Sequence, residues 1–90
     1  MSLKAIVFSH HAQDQLADRG ATSREVELAI RDGERIPAKR GRSAFRKNFT
    51  FRRTWKGVYY EGKQVVPIVV EEMGRWVVVT VYVFYMGARQ

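Results

Sequence analysis

Apolar residues recur along this chain with two different spacings, and the spacing changes near residue 44. Before that point it is helical: Ala12 and Leu16 form a thin apolar stripe, and Val26, Ala29 and Ile30 form a fuller one. After it, apolar and polar residues alternate with a period of two, which is typical of β-strands. The pattern predicts two helices followed by a run of strands.

The ends of both helices are marked by capping residues. Ser9 is a good N-cap for the first helix, and Gly20 suits the left-handed position that ends it. The second helix begins at the capping box Thr22-x-x-Glu25 and ends at Gly33. We therefore predict helices over about residues 10–19 and 23–32.

The strand that begins at Phe45 has two unlike faces. Phe45, Phe49 and Phe51 share one parity and form an apolar face. The other parity carries cationic and hydrogen-bonding side chains, namely Arg46, Asn48, Thr50 and Arg52. This alternation predicts a half-buried strand with an open, cationic outer face.

The remaining segments complete an antiparallel meander. We predict a basic loop over 34–44, turns over 55–57, 61–63 and 73–75, and strands over 58–60, 64–71 and 76–85. Pro67 indicates an edge strand or a bulge, and the last strand is apolar on both faces, which predicts a central position. The expected fold is a single α+β domain over 1–90, with two N-terminal helices packed on one face of a three- to four-stranded antiparallel sheet.

The net charge of +7 is concentrated in the middle of the chain. Residues 31–63 hold 11 Lys or Arg against 3 Asp or Glu, whereas the segments before and after them are nearly neutral. A localised basic field indicates a polyanionic partner, and nucleic acid is the simplest one. A soluble basic surface without any partner is the alternative.

Several classes of protein and site are disfavoured by composition. The chain has no cysteine, so it has neither a disulfide framework nor a thiolate zinc site. No segment reads as a secretory signal or a membrane span, and we expect a cytoplasmic protein that does not bind a membrane. No metal site and no cofactor are expected, because the adjacent His10 and His11 cannot chelate one metal from a regular helix and no second ligand cluster follows.

His11 and Arg19 are the candidate chemical groups of the first helix. They are eight residues apart, a little over two helical turns, so they project from similar sides. Imidazole serves as a general acid or base near neutral pH, and a guanidinium binds phosphate in a fork. The alternative is that His11 is only a surface residue at the helix start, and that Arg19 only places a favourable positive charge near the helix C-terminus.

The basic segments are candidate nucleic-acid contacts. The outer strand face repeats at steps of about 6–7 Å, close to the spacing of an extended nucleotide chain. The candidate binding residues are Lys39, Arg40, Arg42, Arg46, Asn48, Thr50 and Arg52. An ordinary solvated sheet face is the competing interpretation.

Two sequence blocks resemble a bacterial family called domain of unknown function 4258. That family opens with a pattern like S-x-H-A-x-x-R-[ML]-x-x-R-G-[IV]-[ST]-x-x-[ED]-V and closes on a V-V-T-V-Y-like strand. The opening block matches here at Ser9, His11, Ala12, Leu16, Arg19, Gly20, Thr22 or Ser23, Glu25 and Val26, and residues 78–82 match the closing strand. The resemblance covers nearly the whole chain, and its first block is the more specific part.

The resemblance implies a fold and an activity. The family is grouped with the barnase, EndoU, colicin and RelE-like fold, which implies a metal-independent ribonuclease, often a toxin with an acidic antitoxin. His11 and Arg19 would then be active-site residues, with Thr80 or Tyr82 contributing from the last strand. Gln15 departs from the pattern, which has arginine there, so either Arg46 or Arg52 substitutes for it or catalysis is weak or absent.

Two hypotheses follow for function. The first is a toxin-like endoribonuclease that needs no metal, in which His11 moves a proton and Arg19, Arg46 and Arg52 hold the scissile phosphate. The second is a non-catalytic module on the same scaffold that binds RNA or a partner protein. Both hypotheses name RNA as a partner, and a toxin would add an acidic antitoxin protein.

Overall fold

The protein is a five-stranded sheet with two helices on one face, described for residues 4–89 in a computed structural model. In chain order its elements are β1 (Ile6–Phe8), α1 (His10–Arg19), α2 (Ser23–Asp32), β2 (Glu34–Pro37), β3 (Ser43–Trp55), β4 (Val58–Glu72) and β5 (Arg75–Arg89). The strand order across the sheet is β1-β5-β4-β3-β2. The α+β class and the two helices on one face are therefore confirmed.

The predicted sheet of three to four antiparallel strands is wrong in number and in type. β1 adds a parallel strand beside β5, and β2 pairs antiparallel with the start of β3. β1 has only 3 residues, too few to show a period. β2 lies inside the segment predicted as a basic loop. Pro37 and the charged residues around it give this segment no strand pattern, yet 4 of its residues pair with β3.

β4 is one continuous strand of 15 residues, so the turn predicted over 61–63 is absent. Gly62 is paired on both sides, with Thr50 of β3 and Met86 of β5. Pro67 is buried inside the sheet rather than at an edge, and the other predicted possibility, a bulge, is found next to it at Ile68/Val69. The β3–β4 pairing is interrupted around Pro67, between Ala44–Ile68 and Lys47–Val65, because proline has no N–H to donate.

The core lies between the helices and the inner face of the sheet. Ala12 of α1 and Val26 and Ile30 of α2 pack against a layer of strand side chains: Phe45, Val65, Val69, Val78 and Val81. A β-bulge in the β4–β5 pairing at Ile68/Val69 keeps Val78 and Val81 on the same side of the sheet although they are three residues apart. Ala12 is the small residue that α1 buries in this core, and it is fully buried.

Both predicted helix starts are confirmed. The Ser9 hydroxyl accepts a hydrogen bond from Ala12 N–H at 3.1 Å, and Thr22 and Glu25 form both bonds of the capping box. Gly20 has a φ of 77°, and a Cβ there would clash with the Tyr85 hydroxyl oxygen. Glycine is needed at that position for its backbone conformation and for the close approach of β5.

A buried lysine connects the helix junction to the sheet. The Lys63 side chain is 3% exposed, and its ammonium donates to the Gly20 carbonyl at 2.7 Å. The same Nζ lies 2.9 Å from Glu25 Oε1, which also accepts the capping bond from Thr22 N–H. Because a buried charge needs a partner, this cluster fixes the α1–α2 turn on β4.

In the part of the chain that the structure describes, neither helix has the length and the apolar content that crossing a bilayer would require.

We expect Glu25→Ala to lower the free energy of unfolding by about 2–4 kcal/mol, because it removes a capping bond and leaves the Lys63 ammonium without its carboxylate. Urea unfolding followed by circular dichroism measures this change. Arg24→Ala, at the exposed neighbour on the same helix, is the matched control and should stay within about 0.5 kcal/mol of the parent. Equal losses in the two variants would contradict the role given to Lys63.

Candidate functional site at the edge of β5

Side chains of α1 take the place of a strand along the edge of β5. β1 covers this edge only from Trp76 to Val78, and Ser9 N–H then donates to the Val78 carbonyl at 3.0 Å. At Val81, Gln15 Oε1 accepts from the backbone N–H at 2.8 Å, and Arg19 Nη1 donates to the carbonyl at 2.8 Å. Both backbone polar groups of one strand residue are thus satisfied by two side chains one helical turn apart.

The orientation of the Gln15 amide determines the tautomer of His11. The Val81 N–H is a donor, so the Gln15 oxygen must face it and the amide nitrogen must point the other way. That nitrogen lies 2.9 Å from His11 Nε2. Because the amide nitrogen can only donate, Nε2 accepts and the ring proton of the neutral imidazole resides on Nδ1.

Arg19 contacts a second group besides the Val81 carbonyl. Its guanidinium carbon lies 5.3 Å from the centre of the Tyr82 ring. A guanidinium has five N–H donors, and the hydrogen bond to Val81 uses Nη1. Arg19 is therefore held in place with donor capacity left for an anion.

We call this set the α1–β5 seam: His11, Gln15, Arg19, Val81 and Tyr82. A groove runs along its helix side, where Asp14 and Asp18 also line the wall. His11 is exposed, Gln15 is 7% exposed and Tyr82 is 44% exposed. The seam thus places an accessible imidazole and an accessible phenol on either side of a buried amide.

An aromatic cluster supports the end of α1. The Tyr85 hydroxyl donates to the Arg19 carbonyl at 2.9 Å, and its ring contacts Phe51, Trp55 and Tyr60 at centroid distances of 5.3, 5.4 and 5.1 Å. Burial, and secondly the negative charge of Glu25, raise the pKa of Tyr85 above its ordinary value of 10.0. The phenol therefore remains a hydrogen-bond donor at neutral pH and anchors the last turn of the helix.

The cationic strand residues lie away from the seam. Phe45 faces the helices, so Arg46 projects from the opposite face of the sheet, where it forms an ion pair with Glu34. Arg52 sits at a bulge with a φ of 51°, and its Nε is 3.7 Å from Glu61 Oε2. The structure brings neither arginine to His11, and Gln15 takes part in a contact that arginine could not reproduce, since Val81 N–H needs an acceptor.

The other predicted binding residues divide between two places. Lys39, Arg40 and Arg42 are exposed in the turn between β2 and β3. Asn48 and Thr50 lie on the outer sheet face, where the Asn48 oxygen accepts from Gln64 Nε2 at 3.0 Å. Thr80 pairs with Ile68, beside the seam rather than within its hydrogen-bonded chain.

Sequence reasoning treated Gln15 only as a departure from a pattern and did not find its contact with β5. The available signal was its position three residues after Ala12, on the buried stripe of α1. A glutamine on such a stripe must satisfy both ends of its amide. Among residues 4–89 no group of three or more His, Cys, Asp or Glu side chains could hold a metal ion.

Comparison with protein families gives one match. A family model described as a domain of unknown function (DUF4258) matches residues 8–83, which includes both helices and most of β5. No match was found among curated proteins, and none among solved structures.

We expect Gln15→Leu to lower the free energy of unfolding by about 1–3 kcal/mol, because the buried Val81 N–H loses its acceptor. Chemical denaturation measures the loss. Gln13→Leu changes an exposed glutamine on the same helix and should have little effect. If both variants unfold alike, Val81 does not depend on Gln15.

A second prediction concerns high pH. Since the pKa of Tyr85 is raised by folding, its contribution is complete below pH 10.0 and is lost as the pH rises from there towards the folded-state pKa. Wild-type stability should therefore fall more steeply above pH 10.0 than that of Tyr85→Phe, which has no phenol to ionise. Urea midpoints measured at a series of pH values give the two slopes, and parallel slopes would contradict the prediction.

Proposed function

The chain belongs to the family described as domain of unknown function (DUF4258), and we propose that this member binds RNA and cleaves it at the α1–β5 seam without a metal. One observation carries the proposal. A continuous set of contacts runs from His11 through Gln15, the Val81 peptide and Arg19 to the Tyr82 ring. It fixes a titratable ring, a cation and a phenol along one accessible edge.

The proposed reaction is transesterification of a phosphodiester. His11 Nε2 takes the proton of the ribose 2′-hydroxyl, the 2′-oxygen bonds to phosphorus, and the bond to the 5′-oxygen breaks. The Tyr82 hydroxyl supplies the proton to the departing 5′-oxygen. The products are a 2′,3′-cyclic phosphate and a 5′-hydroxyl.

Arg19 has the electrostatic role in this reaction. The N–H groups that do not bond Val81 stabilise the negative charge that develops on the phosphate oxygens. In the free protein Nε2 accepts from the Gln15 amide, and the 2′-hydroxyl takes that place when RNA binds. The Val81 carbonyl keeps Arg19 oriented throughout.

The alternative is RNA binding without cleavage, and Gln15 favours it. A general base would use the lone pair of His11 Nε2, which already accepts a hydrogen bond from the Gln15 amide. Arg46 and Arg52 pair with Glu34 and Glu61 elsewhere on the sheet, so they do not assist His11. The exposed cations Lys39, Arg40 and Arg42 would then hold backbone phosphates with a strong dependence on salt.

The toxin-like part of the proposal adds a protein partner. An antitoxin that covers the basic residues of 31–63 would be acidic, because 11 Lys or Arg there face only 3 Asp or Glu. The resemblance to the barnase, EndoU, colicin and RelE-like ribonucleases belongs to this proposal as well.

The test is incubation of purified protein with end-labelled RNA in EDTA. We expect fragments that end in 2′,3′-cyclic phosphate, and a rate lowered about 10²–10⁴-fold in His11→Ala. His10→Ala is the matched control, since His10 is the exposed neighbour on the same turn, and it should keep the parental rate.

Cleavage that persists unchanged in His11→Ala would remove His11 from the mechanism. RNA that is bound by filter retention but never cut would establish the binding module instead. RNA that is neither bound nor cut would overturn both functions.

A further inference from the structure

The sheet face opposite the helices carries a strip of exposed apolar side chains along β5. Tyr82, Phe84 and Met86 are 44%, 53% and 37% exposed. They pair across the sheet with Val66, Gln64 and Gly62 of β4, so all three project from the same face. Apolar residues with this exposure are unusual in a regular row on an open sheet.

The row continues onto β3 with polar side chains. Gln64 pairs with Asn48 as well as with Phe84, and Gly62 pairs with Thr50 as well as with Met86. Each cross-strand row therefore runs from an amide or hydroxyl on β3 to an aromatic or thioether side chain on β5. The Asn48–Gln64 hydrogen bond uses one donor and one acceptor and leaves other amide donors and acceptors free.

Gly62 opens a depression in the middle of this face. Without a side chain between Thr50 and Met86, a hollow of about 370 Å³ remains, and Asn48 also lines it. Next to it, the Tyr82 and Phe84 rings are nearly parallel, with an interplanar angle of 21° and centroids 6.4 Å apart. The face thus offers two nearly parallel aromatic surfaces beside a hollow whose lining is mostly apolar, with Asn48, Thr50 and the Glu61 side chain at its walls.

The charged residues around this face indicate what kind of molecule binds to it. Arg46, Arg52 and Arg89 are exposed at the margins of the face, but each is paired with a carboxylate: Arg46 with Glu34, and Arg52 and Arg89 with Glu61. The basic turn with Lys39, Arg40 and Arg42 precedes β3, and none of its three cations has an ion pair within residues 4–89. Aromatic rings bordered by cations complement a chain with flat apolar groups and a polyanionic backbone.

We propose that this face, formed by Tyr82, Phe84, Met86, Gln64, Asn48 and Thr50, is a stacking platform for single-stranded RNA. Bases stack on the Tyr82 and Phe84 rings, the amides of Asn48 and Gln64 bond base edges, and the cations of the basic turn hold phosphates. Alternate residues of β5 are about 6.8 Å apart, so the three side chains span about three nucleotides. Paired bases cannot reach the rings, so a duplex binds only through its phosphates.

This inference deepens the proposed function, because it names unpaired RNA as the substrate and places it on the sheet face that adjoins the seam at Tyr82. It does not require cleavage. A single strand that is stacked on Phe84 and Tyr82 would continue past Arg19 towards His11, whereas a rigid duplex would be held away from that edge.

The experiment measures binding with cleavage removed. Fluorescence anisotropy with a labelled single-stranded RNA of about ten nucleotides is recorded for His11→Ala in EDTA, alone and combined with Phe84→Ala. We expect Phe84→Ala to weaken binding about tenfold, as the loss of one stacked base does. Phe84→Trp should retain affinity, and Met73→Ala, at a 95% exposed residue of the β4–β5 turn, is the control that should not change it.

A second arm uses an RNA hairpin that contains the same nucleotides in paired form. The proposal predicts weaker binding of the hairpin and no further loss for it in Phe84→Ala. The platform is overturned if Phe84→Ala binds the single-stranded RNA with the same affinity as its parent. It is also overturned if Phe84→Ala loses the same affinity for the hairpin as for the single strand. Because binding is measured in the His11→Ala background, absence of cleavage in the wild type would overturn only the catalytic proposal.

Discussion

The edge of β5 needs hydrogen-bond partners, and the rest of the structure depends on how α1 provides them. β1 is too short to pair beyond Val78, so the Val81 peptide would be left without partners in a packed region. Gln15 and Arg19 satisfy it from one side of α1, and Tyr85 and Lys63 then bond the carbonyls at the end of that helix. The same contacts that hold the helix on the sheet orient His11 and Arg19.

Gln15 and Arg19 thus serve both the fold and the candidate site, and for that reason the seam is compatible with cleavage and with binding alone. A side chain that satisfies the backbone is held rigidly, which suits a site that stabilises a transition state. It also has fewer free donors and acceptors than an unattached residue. Gln15 has both ends of its amide engaged, whereas Arg19 keeps most of its N–H groups, so the two residues differ in what remains for a ligand.

The helices were predictable from sequence because their caps are local signals: Ser9, Thr22, Glu25 and Gly20 act within four residues of the groups that they satisfy. The long strands were partly predictable from the alternation after Phe45. β1 and β2 were not, since 3- and 4-residue strands exist only through their partners. For the candidate site, the sequence predicted residue types but not their positions. His11 and Arg46 are separated because of the strand order and because Arg46 lies on the opposite face of the sheet, and a local sequence pattern encodes neither feature.

The β4–β5 hairpin has a consequence for the order in which the molecule assembles. Its two 15-residue strands are joined by a turn at Met73–Gly74, and β3 and β4 are joined by an equally short turn at Lys56–Gly57, so both pairings close short loops. The bonds of Gln15 and Arg19 to Val81 join residues 66 and 62 positions apart. Loop-closure entropy therefore favours these two hairpins first and the docking of α1 late. During synthesis, α1 emerges long before β5, so the helix is made well ahead of the strand edge that completes the seam.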